Sequence, residues 1–294
     1  MISDSDPTTP LRLALPKGRM QTGVVQLLVD AGLPIRLGDR DYRPRLSLDG
    51  IEAKLLKPQN ILEMLHAGSR DLGFAGADWV AELGLGELVS LCDTGLDPVR
   101  IVAAAPASIL VDGRLPTDRR LVVASEYERL AHAWINAKGL NASFVRSFGA
   151  TEVFPPEDAD VIVDNTASGD TLRANGLVIV DELMRSSTRL YASPNAMMDP
   201  SKAERIHWIA ALVQSVLDAR ARVMLELNCS REALERIVDA LPCMRTPTVS
   251  TLHDGAGHAV KAAVPRKDLA RLLPRLRALG GTDLVVTEIA QLLP

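Results

Sequence analysis

Short apolar runs alternate with amphipathic stretches through most of this chain. Leu11–Leu15 predicts a buried strand, and an amphipathic helix follows through about Ala31. Ile51–Leu56, Asp71–Ala75, Arg100–Ala105, Arg120–Ala124 and Ala142–Val145 read as further strands, with helical spacing at Ile61–Ala67 and Tyr127–Lys138. Gly149–Val153 opens a short helical or loop segment, and a strand from Asp160 runs through Val161, Ile162 and Val163 into Asp164. Such alternation predicts parallel sheets covered by helices. Two sheets are expected, one per lobe, with a crossing at Pro106–Pro116 and a return near Leu183–Leu190.

Beyond the long amphipathic helix 202–220 the pattern changes. Strands at Arg222–Asn228, Thr248–Leu252, His258–Val264 and Asp283–Ile289 frame helices at Arg231–Ala240 and Lys267–Leu279. That order is βαββαβ, a ferredoxin-like arrangement. The expected fold class is therefore α/β: a two-lobed core and a small C-terminal domain. The expected boundaries are 1–106 with 184–220, 107–183, and 221–294. The last domain has few Ser, His and Asp combinations, which points to regulation or assembly rather than chemistry.

Composition narrows the class. A chain of 294 residues suits two domains, perhaps three small ones. Aromatics at 3% require an aliphatic core, and a net charge of −4 argues against a nucleic-acid surface. Cys92, Cys229 and Cys243 lack metal spacing and are odd in number, so buried reduced thiols are expected. Met1–Pro10 has no signal-peptide pattern, and no apolar run is long enough to span a bilayer. A cytoplasmic protein is the expectation.

The richest chemistry lies at 160–177. The strand ends in Asp164, then small and polar residues (Thr166, Ala167, Ser168, Gly169, Asp170, Thr171) lead to a helical turn at Leu172. Main-chain N–H groups and hydroxyls there can converge on a phosphate, while Asp164 suits the hydroxyls of its sugar. The same residue types also make ordinary turns and caps. Lys17 and Arg19 flank Gly18 at the end of the first strand and suit phosphate oxygens, or a solvated basic turn. Asp71 through Gly76 can line a cleft, as can Ser125, although helix capping is the default for a serine there. Glu152 after Gly149-Ala150-Thr151 can accept from a ribose. The five histidines show no zinc spacing, and no nucleophile elbow or Walker loop occurs.

Together these segments resemble the ATP phosphoribosyltransferase family. The resemblance rests on Leu13-Ala14-Leu15-Pro16-Lys17-Gly18-Arg19-Met20, Asp71-Leu72-Gly73-Phe74-Ala75-Gly76, Gly149-Ala150-Thr151-Glu152-Val153 and Asp164 through Leu177. It runs from about residue 11 to the C-terminus, where Arg245-Thr246-Pro247-Thr248 and Ala263-Val264-Pro265-Arg266 look like the family's long form. The resemblance implies a periplasmic-binding-protein-like catalytic core with an ACT-like regulatory tail. It implies ATP and phosphoribosyl diphosphate (PRPP) as substrates, Mg²⁺ as cofactor, histidine as inhibitor and a homo-oligomer from dimer to hexamer. Lys17, Arg19, Glu152 and Asp164 would be catalytic, with Asp164 and Thr166–Thr171 as the PRPP loop and Gly18, Asp71, Gly76 and Ser125 in the cleft. Asn228, Thr248, Ala263 and Asp283 would meet histidine; no residue is assigned to a metal. The chain departs from the family pattern at Asn165 and at Asp170, whose carboxylate weakens anion binding unless it points outward. It also departs at Lys57, Asn60, Asn228 and Gly257. A nucleotide-binding paralogue without turnover is the alternative.

Overall fold

The computed structural model describes residues 10–36, 38, 42–253 and 255–293, so the N-terminal segment before Pro10 lies outside the described residues. The described chain divides into two compact units, one within Met1–Gln26 and Pro34–His207, the other within Leu27–Leu33 and Trp208–Pro294. In chain order the elements of the first begin with β1 (Leu11–Pro16), α1 (Arg19–Asp30), β2 (Ile35–Arg36), β3 (Arg45–Leu46) and β4 (Ile51–Leu56). Then come α2 (Pro58–His66), β5 (Leu72–Gly76), α3 (Ala77–Leu83) and β6 (Val89–Pro106). β7 (Leu121–Ser125), α4 (Glu128–Lys138), β8 (Ala142–Arg146), β9 (Val161–Thr166) and α5 (Asp170–Ala174) follow. β10 (Leu177–Ala192), α6 (Pro194–Met198) and α7 (Pro200–Arg220) come last, and α1 and α7 each run on into the second unit.

The two expected sheets are one. Eight strands run in the order β4-β1-β5-β10-β6-β9-β7-β8, parallel at both ends but antiparallel around β10 and β6. The two long strands join the sheet's halves: β10 pairs with β5 over Thr188–Ala192, whereas β6 pairs with β9 over Arg100–Ala104. Register shifts cluster on β10 around Ser186–Arg189, and Gly95 and Asp97 on the facing stretch of β6 adopt positive φ. Bulges add local twist, which lets one strand pair leave one lobe and enter the other.

β9 shows how a mostly aliphatic core is built around a few aromatics. Val161 and Val163 face a cluster with Val123, Tyr127 and Trp134 on one side of the sheet, while Ile162 faces Ala124, Leu172 and Leu177 on the other. A strand covered on both faces is apolar at every position. Cys92 and Cys229 are buried as expected, but Cys243 is only partly so, and all three are free thiols.

The second unit contains β11 (Arg222–Cys229), α8 (Leu234–Ala240), β12 (Thr248–Thr251), β13 (His258–Pro265), α9 (Leu269–Ala278) and β14 (Gly281–Glu288). The antiparallel order β12-β13-β11-β14 is that of a ferredoxin-like fold. Val223, Leu225, Leu227 and Cys229 point to Ile237, Leu272 and Leu276 of the two helices, leaving Met224, Glu226 and Asn228 on the opposite face.

Candidate active site

Strand β9 carries Asp164 and continues through Asn165 to Thr166 before the loop turns into α5. Thr166 Oγ1 accepts the Gly169 N–H at 2.9 Å, closing the loop. Gly169 has φ +83°, a conformation that side-chain-bearing residues rarely adopt. Asp170 is exposed and ion-paired with Arg173. The Ser168 hydroxyl, at 2.5 Å, and then Arg173 hold its carboxyl below the usual range. The carboxylate thus sits in the loop, with its charge matched locally by Arg173.

This loop forms one wall of a cleft of about 290 Å³. Arg19 enters it from the start of α1, Glu152 from the short turn Thr151–Val153, and Asp164 from β9. Thr166, Ala167, Ser168, Asp170 and Thr171 complete most of the wall, joined by Asn165 and Leu172. The Glu152 turn is held by a 2.7 Å hydrogen bond between the buried hydroxyls of Ser147 and Thr151, and it begins at Ala150 in the left-handed region. Burial pushes the Asp164 carboxyl up to about 6; the Asn165 N–H opposes this, and the charges of Glu152 and Glu126 reinforce it.

Other predicted residues lie apart from that lining. Lys17 and Gly18 adjoin Arg19, but the Lys17 ammonium rests over the Tyr42 ring at 4.1 Å. Asp71 precedes β5, at the opposite end of that strand from Gly76, and is 2% exposed. Its carboxylate accepts from the Arg12 side chain and main-chain N–H at 2.8 Å and from Lys202 at 3.0 Å, so its partners are structural. Ser125 is fully buried, donates to the Val163 carbonyl and accepts the Tyr127 N–H at 2.8 Å, as a turn-making serine does. Gly76 serves its own motif: a Cβ there would collide with the Asp78 carboxylate. Asp78, buried and bonded to Tyr127, went unread in the sequence because nothing local marks an interior acid whose partner lies 49 positions away.

In the second unit Asn228 Nδ2 donates to Asp283 Oδ2 at 3.0 Å. Thr248 lies on β12 opposite Lys261, and Ala263 faces Met224, four positions along β11 from Asn228. Any side chain at Gly257 would meet the Cys229 carbonyl.

The family model described as HisG, ATP phosphoribosyltransferase, matches residues 57–215, and that of the HisG C-terminal domain matches 219–291. The chain belongs to the ATP phosphoribosyltransferase family. The ATP phosphoribosyltransferase of Chlorobium luteolum is 34% identical over 96% of this chain and 97% of its own length. That of Chlorobaculum parvum is 33% identical over 98% and 99%. A chain of the ATP phosphoribosyl transferase complex from Thermotoga maritima superposes with a TM-score of 0.62 at 25% identity, over 71% of this chain and 98% of that one. The family is one of pentosyl transferases at the first step of histidine biosynthesis, and the match through residue 291 marks the long form. Among the described residues no helix is long and apolar enough to cross a membrane.

Proposed function

We propose that the cleft transfers the phosphoribosyl group of PRPP to N1 of ATP. The N1 lone pair forms the bond to C1 of the ribose, and the C1–oxygen bond breaks with its electron pair leaving on pyrophosphate. The observation that supports this best is the convergence of Arg19, Glu152, Asp164 and the Thr166–Thr171 loop on one cavity. In this reading Asp164 and Glu152 accept from the ribose hydroxyls, and the loop N–H groups with Ser168 and Thr171 hold the 5-phosphate. Lys17 and Arg19 face the diphosphate. Positioning and charge stabilisation suffice for such a displacement, and no general base is assigned.

With Asp170 paired to Arg173, the cleft lining sets Glu152 and Asp164 against Arg19, so a diphosphate needs a cation of its own there. Among the described residues no three His, Cys, Asp or Glu side chains are grouped to hold a metal ion. Magnesium is accordingly assigned to the substrate, as its PRPP complex, and no step is routed through it. The same reading takes the two halves of the sheet as catalytic lobes, divided at the β6/β10 crossover, and residues 221–294 as a histidine-binding regulatory domain. A cytoplasmic homo-oligomer, from dimer to hexamer, completes it.

The test is absorbance of the product from purified protein, ATP, PRPP and Mg²⁺, with pyrophosphatase pulling the equilibrium. Turnover is expected; folded protein that binds ATP but makes no product would favour the nucleotide-binding paralogue.

A further inference from the structure

Asn165 lies between the cleft carboxylate and a buried chain of hydroxyl and carboxylate groups. Its Nδ2 donates to the Tyr127 hydroxyl at 3.3 Å and to Asp164 Oδ1 at 3.2 Å, while its main-chain N–H donates to the same Oδ1 at 2.7 Å. Tyr127 donates to Asp78 Oδ2 at 2.7 Å, and Ser186 donates to Asp78 Oδ1 at 2.6 Å while accepting the Asp78 N–H at 2.9 Å. Tyr127, Asp78 and Ser186 are at most 6% exposed, so these groups depend on one another for partners.

The polarity of the chain fixes the amide. The Tyr127 hydroxyl has one proton and gives it to Asp78 Oδ2, so its oxygen is left to accept. Asn165 must therefore turn its NH₂, not its carbonyl, toward Tyr127, and that same NH₂ reaches Asp164. Stacking of Trp79 on Tyr127, centroids 4.7 Å apart, holds the ring in place. Gly76 clears room for the Asp78 carboxylate. The anchor stands on α3, which follows β5, whereas Asp164 stands on β9 beyond the crossover.

We propose that Tyr127 and Asn165 are positioning residues, anchored by Asp78, that hold Asp164 Oδ1 so that Oδ2 meets the ribose of PRPP. The inference rests on the PRPP reading of the cleft. The charged groups facing Asp164 are Glu152 and Glu126, with Arg19 in the same cleft. Against them Asp164 Oδ1 accepts from the Asn165 main-chain N–H and, at 3.2 Å, from its Nδ2, and hydrogen bonds to a carboxylate favour its ionised form.

The experiment measures turnover of the wild-type protein, Tyr127→Phe, Asn165→Ala and the double variant from about pH 5 to about pH 9, with thermal midpoints alongside. Each single variant is expected to raise KM for PRPP about three- to tenfold, the worth of one hydrogen bond, with KM for ATP within about twofold. The acid limb of kcat/KM for PRPP should move to higher pH, a change that mere loss of stability does not produce. The double variant should be no worse than Asn165→Ala, because both act along one path. Should Tyr127→Phe not fold, Asn165→Ala on the half-exposed cleft edge carries the test. An unchanged PRPP KM and acid limb in active variants, or effects that multiply in the double variant, overturn the relay alone. A folded wild-type protein without turnover overturns the functional reading and the relay with it.

Discussion

At the scale of residues, two aspartates that look alike in the sequence have opposite electrostatics. Asp164 is raised to about 6 by burial and by nearby Glu152 and Glu126, so its ionised form is the costly one. The stability linked to it is fully present below the unfolded pKa of about 4 and is lost as pH rises through about 6. Ribose hydroxyls favour the ionised form, so kcat/KM for PRPP should fall as pH drops through about 6. A pH–rate profile checks this. Asp164→Asn should raise KM for PRPP by roughly tenfold or more and remove that limb; an equal rise in KM for ATP would contradict the assignment. Burial would raise Asp71 too, but hydrogen bonds from Arg12 and Lys202 outweigh it and its pKa is lowered. Its contribution is therefore present above about pH 4 and is lost as pH falls through the lowered value. Asp71→Ala leaves Arg12 and Lys202 without their acid and should cost about 3–5 kcal/mol by denaturant titration. KM for PRPP in the remaining folded protein should be unchanged. The sequence places Asp71 at the start of a strand and Asp164 at the end of one, but only the packing shows which partners each acid has.

At the scale of elements, strands covered on both faces were plain in the sequence, since apolar runs such as Val161–Val163 have no other home. The long pair β6 and β10 was not. Asp181, Glu182, Arg185 and Arg189 interrupt the apolar pattern of β10, and its bulges break the alternation that marks a half-buried strand. Helix α4 shows the same limit. The sequence offers Ser125 as its cap, yet Ser125 Oγ accepts the Tyr127 N–H, before the helix begins. The first turn is capped instead by Glu82 of α3, whose two oxygens each accept at 3.0 Å, from Arg129 N–H and Leu130 N–H. A cap supplied from 47 positions away leaves no local signature. Glu82→Ala should lose about 1 kcal/mol of capping, more if the helix dipole adds to it, and lower Tm by about 2–4 °C. Calorimetry checks the shift. A loss confined to KM for ATP or PRPP, with Tm intact, would show that Glu82 serves the cleft instead.

At the scale of the whole molecule, motif order identified the family, whereas continuity of the sheet is a long-range pairing that no motif encodes. The tail was legible as βαββαβ because its strands alternate cleanly, as at Val223–Cys229. Its ligand chemistry was harder to read, since Asn228 stands where an acid was expected to meet histidine's amine. The structure supplies an acid beside it. Asp283 accepts from Asn228 at 3.0 Å and from the Thr282 hydroxyl at 3.1 Å, and it is held at φ +50° next to a register shift between β11 and β14. In the proposed histidine-binding reading, this carboxylate is the group that would meet the ligand's ammonium. If that reading holds, histidine inhibits the wild-type protein. Asp283→Asn should raise the half-inhibiting concentration about tenfold or more, the worth of one charged hydrogen bond, without changing KM for PRPP in its absence. Asn228→Ala removes a neutral partner and should have the smaller effect. A histidine titration of activity and of Tm separates the outcomes. Equal inhibition of wild type and Asp283→Asn would place the amine elsewhere, and no response of either protein would remove feedback from the proposed function while leaving catalysis untouched.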